Sequence, residues 1–311
     1  MGVPFPNVTQ GNVWFVNPYS GLDGNTGKSV DQAFKTLARA QEVATANQND
    51  IVYLLSTTNS STNTTDYQSE TLDWAKDGVS LIGINANPNI GQRSRIAQLS
   101  TVKTIENLFT VSADNCFIAN ISVFQGVATS TATSPVAVTV SGERNRFVNC
   151  QFSGIGDTSM DTAGARSFVC SGSENTFEDC YVGLDTVIRA TATAECAFTG
   201  TPSRNVFKSC IFNTYTDDTG FLPWTVAAGL DRFAIFKDCM FICADNITSA
   251  ATPAAVFGGS TATIGGLIHL YNPYTNCTQY TAADSSRVLA LGYDGTATGN
   301  LIGISQGIDA A

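Results

Sequence analysis

Charge is scarce in this chain. Of 311 residues only 14% are Asp, Glu, Lys or Arg, against about 25% in an ordinary soluble domain. Basic residues are the scarcer kind, 16 against 26 acidic ones, for a net charge of -10. No Lys/Arg run offers the basic face that nucleic acid requires, so no nucleic-acid partner is expected. Histidine occurs once and C-x-x-C does not occur, which excludes the usual Cys/His zinc spacings. No metal and no cofactor is expected. Apolar runs stop short of the roughly 18 residues of a spanning helix. The opening residues MGVPFP lack the basic-then-apolar pattern of a signal peptide, and no membrane partner is expected. Aromatics are not scarce: 18 Phe, 9 Tyr and 3 Trp are too many for a disordered chain.

Nine cysteines stand out. The odd number, the size of the chain and the missing signal peptide argue against a disulfide framework, and buried free thiols acting as small hydrophobes are expected. Their spacing carries the fold. Asn145-Arg146-Phe147-Val148-Asn149-Cys150-Gln151-Phe152 aligns with Asn175-Thr176-Phe177-Glu178-Asp179-Cys180-Tyr181-Val182 and with Asn205-Val206-Phe207-Lys208-Ser209-Cys210-Ile211-Phe212. Ile235-Phe236-Lys237-Asp238-Cys239-Met240-Phe241 is a fourth copy, and the cysteines are 30, 30 and 29 residues apart. Thirty residues before Cys150 stands Asn120. One interior ladder, Asn120, Cys150, Cys180, Cys210 and Cys239, is predicted, with the Asn120 amide stacked on its neighbour.

A second short strand precedes each copy, as in Val136-Ala137-Val138-Thr139-Val140 before Ser141-Gly142 and Ser167-Phe168-Val169-Cys170 before Ser171-Gly172. The apolar period is two, which excludes a helical repeat. A unit of this length is too short for a four-stranded propeller blade. The pattern predicts an all-β fold, a right-handed parallel β-helix (β-solenoid) with an N-terminal capping helix. Residues 1–12 read as an extended arm, with Pro4, Phe5 and Pro6 as candidate docking residues. Residues 13–75 supply the cap strand, the capping helix and the first rungs. Residues 76–270 are the coils, and 271–311 a C-terminal closing segment in which Val288-Leu289-Ala290-Leu291 and Asn300-Leu301-Ile302-Gly303-Ile304 could be the last rungs or a separate closing element. The capping helix is predicted from about Gln32 to Ala46, with Asp31 or Ser29 as its N-cap.

Val16-Asn17-Pro18, Gly21-Leu22-Asp23-Gly24-Asn25-Thr26-Gly27-Lys28-Ser29, Ala33-Phe34-Lys35-Thr36-Leu37-Ala38 and Asp50-Ile51-Val52-Tyr53-Leu54 open the chain, followed by Asp77-Gly78-Val79-Ser80-Leu81-Ile82-Gly83. This series resembles the opening of pectin-lyase-like right-handed β-helix proteins. The resemblance covers residues 13 to about 245 and is specific for fold rather than activity. It implies right-handed coiling, commonly trimers, and relatives among polysaccharide lyases, glycosidases, phage tailspikes and phage head decoration proteins; fold alone does not choose among these.

For an enzyme, the candidate catalytic group is an acidic column. Asp157, Asp185, Asp217 and Asp245 follow the ladder cysteines by 7, 5, 7 and 6 residues, with Asp218 beside Asp217. A glycosidase would need two such carboxylates about 5–9.5 Å apart. Asp also favours turns through local hydrogen bonds, and a turn follows every strand, so no catalytic residue is assigned. The expected function is that of a non-enzymatic phage virion protein: a homotrimeric capsid decoration or cement protein, assembled in the host cytoplasm and placed on the capsid surface. Its expected partner is the major capsid protein or another virion protein. The alternative is a tailspike-like protein that binds or depolymerises a cell-surface polysaccharide.

Overall fold

Short apolar segments separated by Gly, Asn and Asp turns fold into three sheets in which every strand pairing is parallel. The computed structural model describes residues 11–55, 68–84, 94–227, 229–245, 252–259, 264–281 and 287–291. Pro4, Phe5 and Pro6 lie outside these residues, as does the segment 300–304. Among the described residues the sheets hold ten, seven and eight strands, and in each the strand order follows the chain coil after coil. This is a right-handed β-helix: a full coil lays one strand on each sheet and rises to the next rung.

One coil shows the construction. Val136–Val140 lies in the eight-stranded sheet, Arg146–Val148 in the ten-stranded sheet and Gln151–Ile155 in the seven-stranded sheet. The sequence pattern predicts two strands per repeat, and the structure has three. The difference is one residue. Asn149 has φ of +51°, and the residues stacked with it, Asn120, Asp179, Ser209, Asp238 and Asn272, are also left-handed, between +47° and +59°. A left-handed residue between two extended segments turns the chain sharply, and Asn and Asp tolerate that conformation best among non-glycine residues. The alternating run therefore bends onto a new sheet.

The core is a set of vertical rows. Val52, Leu81, Ile118, Phe147, Phe177, Phe207, Phe236, Leu270 and Ala290 occupy successive rungs of one row. The four phenylalanines stack face to face, with centroids 4.7, 4.6 and 4.6 Å apart. This row runs through the aligned repeats and matters more to packing than the cysteines. The coils also continue beyond residue 270: Tyr274–Thr275, Gln279–Thr281 and Val288–Leu291 add one further strand to each sheet. The described residues of this stretch, among them the Val288–Leu291 rung, therefore stack on the solenoid.

The cap is shorter than its sequence pattern suggests. A 3-10 turn covers Val30–Gln32, and the α-helix runs only Leu37–Val43 with Thr36 as N-cap, its hydroxyl accepting from the Arg39 N–H. Neither Asp31 nor Ser29 caps it. Phe34 pairs in parallel with Val16, and Asp23 accepts from the Lys35 and Thr36 N–H groups, so these backbones are held extended. Leu37 and Ala40 face the first rungs.

Asp50 fastens the cap. Its fully buried carboxylate accepts from the Asn12 N–H (2.6 Å), the Thr45 N–H (2.9 Å) and the Trp14 indole (3.1 Å). Burial alone would raise its pKa, but these hydrogen bonds outweigh burial and hold it below the ordinary value. Glu106, gripping the Thr133 and Ser134 N–H groups at 2.8 Å, is lowered against burial in the same way. A carboxylate depressed in the folded state stabilises above its unfolded pKa and loses that contribution as pH falls through its folded pKa. The denaturant midpoint is therefore expected to be flat from neutrality to about pH 5 and to fall below about pH 4. Asp50→Asn should make that acid-side slope shallower.

Candidate functional site

The acidic column does not assemble. Asp157 caps the 3-10 turn Thr158–Met160, accepting from the Ser159 N–H and hydroxyl at 2.9 and 2.7 Å. Asp185 lies exposed on the loop that follows Tyr181–Val182. Asp218 closes a tight turn by accepting from the Gly220 N–H, and half-buried Asp217 precedes it. Asp245 ends strand Met240–Asp245, where its backbone pairs with Thr216 rather than with Asp217. Asp157, Asp185 and Asp218 thus sit in connections of different length, since those that follow the seven-stranded sheet vary from coil to coil. Among the described residues no three His, Cys, Asp or Glu side chains converge as a metal-holding group.

The cysteine ladder needs one correction. Cys150, Cys180, Cys210 and Cys239 stand beside paired residues on four successive rungs, and all are buried. Asn120 is not among them. The coil between Ile118 and Phe147 spans 29 residues rather than 30, so Asn120 stacks on Asn149 and accepts its amide at 2.9 Å. Ile121 takes the interior position below Cys150. Elsewhere in the interior, burial pushes the Cys116 and Cys170 thiols up to about 12, which makes those two poor nucleophiles near neutrality.

A different asparagine row is interior. Asn145, Asn175 and Asn205 are at most 1% exposed and lie 30 residues apart. The Asn145 Oδ1 accepts from the Cys116 N–H, Asn175 Oδ1 from the Asn145 N–H, and Asn205 Oδ1 from the Asn175 N–H, at 2.8–2.9 Å. Their amides donate to the Ala113, Gly142 and Gly172 carbonyls. Each amide thus satisfies two backbone groups where the chain turns between sheets. Glycine is required beside it: a Cβ on Gly172 would stand 1.9 Å from the Gly142 oxygen. Asn175→Ala should strand the Asn145 N–H and the Gly142 carbonyl and cost about 2–3 kcal/mol, read as a shift in denaturant midpoint. Asn149→Gly, at the half-buried left-handed corner, gives up the hydrogen bond to Asn120 but suits the positive φ, and should cost less, about 1 kcal/mol.

The densest polar group forms no motif in the sequence. Arg189, in loop 183–193, is 1% exposed. Its guanidinium donates to Glu195 at 2.7 Å, to Asp161 at 3.0 Å and to the Ala165 carbonyl at 3.0 Å. Asp161, in loop 156–165, also accepts from the Ala190, Thr191 and Ala192 N–H groups. Ser167 donates a short hydrogen bond to Glu195. Arg166 stands next to this group, and burial, with the nearby Arg189 charge, pulls its pKa down. Around the cluster Val127, Ile155, Met160, Ala165, Val187, Ala192 and Phe221 form a second apolar core under the loops. The available signal is a lone Glu inside Ala194-Glu195-Cys196-Ala197-Phe198 and a lone Arg after Val187-Ile188, since isolated charges in apolar strands need partners. Chemically the cluster is closed. Both carboxylates are engaged by Arg189, and the group clamps two loops to the coil.

One shallow feature faces outward. Phe15 and Tyr53 stack at 5.7 Å on the ten-stranded sheet. With Ile82, Gly83, Ile84 and Asn120 they line an apolar hollow of about 400 Å³.

Fold and register together define the class: a pectin-lyase-like parallel β-helix. Among solved structures the chain is similar to a pectin methylesterase crystallised with a hexasaccharide, at 16% identity and a TM-score of 0.59, covering 93% of this chain and 90% of that one. It is similar to the pectin methylesterase PemA of Erwinia chrysanthemi at 14% identity, TM-score 0.58, covering 94% and 91%. A rhamnogalacturonan lyase matches at 17% identity, TM-score 0.55, covering 90% of this chain and 68% of that one. No family model and no curated protein matches the chain. At these identities the likeness is one of fold.

Proposed function

We propose that this protein is a non-enzymatic phage virion structural protein, a homotrimeric decoration or cement protein that binds and stabilises the head shell. Its partner in that reading is the major capsid protein or another virion protein, with assembly in the host cytoplasm. The carrying observation is where the polar chemistry goes. Of the sequence-predicted column, Asp157 and Asp218 each hold a separate turn, and Asp185 lies exposed on another loop. Among the described residues, the Asp161 and Glu195 carboxylates are both engaged by Arg189. Side chains that could do chemistry instead tie rung to rung, which supports a rigid scaffold whose task is to present surface. Purified particles provide the test. Many copies per head, lost in step with shell stability, support the reading; a few copies at the tail would sink it.

The second reading, a tailspike-like polysaccharide binder, draws on the Phe15–Tyr53 pair and its hollow. Flat aromatic faces bind the apolar faces of sugars. Host-surface oligosaccharide that binds the wild type and not Phe15→Ala would favour it over decoration.

A further inference from the structure

Cys243 and Cys277 differ from the other cysteines in their geometry. In the ladder, Cys150, Cys180, Cys210 and Cys239 each have backbone carbonyls as acceptors at 3.4–3.6 Å. The Cys243 and Cys277 sulfurs instead face each other at 3.1 Å across adjacent rungs, where a disulfide would need them about 2.05 Å apart. The two rungs are already locked in register at this point. The Cys243 N–H donates to Asn276 Oδ1 at 2.8 Å, and the Asn276 amide donates to the Cys243 carbonyl at 2.6 Å. Stacked strands about 4.8 Å apart also lie within the Cα separation that disulfides span.

We propose that Cys243 and Cys277 are a latent inter-rung disulfide, closed by a low-molecular-weight disulfide once the protein leaves a reducing compartment. The order of attack follows from exposure. Cys277 is 8% exposed and Cys243 2%, and hydrogen bonding by Cys243 and Thr275 pulls the Cys277 thiol down. The Cys277 thiolate attacks one sulfur of the reagent RSSR, and the leaving RS⁻ takes up a proton as RSH. Cys243 then attacks the Cys277 sulfur, loses its own proton and expels the second RSH. Two protein thiols are oxidised to one disulfide, and one RSSR is reduced to two thiols. The bond would staple two adjacent rungs in the C-terminal part of the described solenoid. It is independent of whether the protein decorates a capsid or binds a glycan.

The test is oxidation of the full chain with oxidised glutathione, both on the native protein and during refolding in a glutathione buffer. Free thiols are then alkylated in denaturant and peptides are mapped. The expected product has two fewer alkylated cysteines than the nine of the reduced chain, with the Cys243 and Cys277 peptides joined. The thermal midpoint should rise by about 4–5 °C on oxidation, and this rise should vanish in Cys277→Ser. The proposal is overturned if both residues are fully alkylated after both treatments, or if the crosslink joins ladder cysteines instead.

Discussion

Truncating Phe207 to alanine is expected to destabilise the protein by about 3–5 kcal/mol, lowering the thermal midpoint by about 5–8 °C for a chain of this length. Phe207 is sandwiched between Phe177 and Phe236, each 4.6 Å away and nearly parallel. Its edges meet Phe168, Phe198, Phe212 and Trp224 at 5.1–6.3 Å. The rungs above and below are fixed in register by backbone pairing, so the neighbours cannot collapse into the space without breaking the sheet. The cavity term is therefore nearly undiminished, which places the cost at the upper end for such truncations. Phe207→Leu keeps most of the volume and should cost roughly 1–2 kcal/mol. Urea titration distinguishes a packing loss from a change in cooperativity: the midpoint should move while the slope stays constant. A loss below about 1 kcal/mol would mean that the aromatic row is not the core's main support.

The 30-residue repeat makes this row readable in the sequence. Constant spacing identifies residues that stack, because a coil of fixed length returns to the same place. What spacing leaves open is facing. Asn149 and Cys150 are neighbours at the same period, yet one turns outward and the other inward, because Asn149 is left-handed. The same ambiguity displaces Asn120: a coil one residue shorter puts it on the corner row rather than the cysteine row. It also hides the buried row Asn145, Asn175 and Asn205, whose period is visible but whose paired backbone partners are not. The acidic column fails for a related reason. Its members follow strands at similar distances, but the loops they occupy differ in length, so sequence offset no longer measures height on the solenoid. The Arg189 cluster draws on loops 156–165 and 183–193 and strand Ala194–Phe198, and no periodicity links those places.

That cluster carries the other large effect. Arg189→Met should cost about 3–5 kcal/mol, because it leaves two carboxylates buried without their cation. Glu195 is 1% exposed and the Asp161 side chain 5%, so water cannot replace the guanidinium without opening the loops. The loss should appear first as local opening. Proteolysis at 183–193 and amide exchange at Ala190, Thr191 and Ala192, whose N–H groups Asp161 holds, should both accelerate ahead of global unfolding. A second substitution separates attraction from stranding. If the cost comes from uncompensated charge, adding Glu195→Gln to Arg189→Met should recover part of it, although Glu195→Gln alone is also destabilising. Additive losses in the double variant would instead show that Arg189 acts mainly by packing on Phe221, 5.6 Å away. Recovery would mean that two carboxylates on a pectinase-like fold serve here as fasteners, held by an arginine that no substrate could displace without unfolding the loops around it.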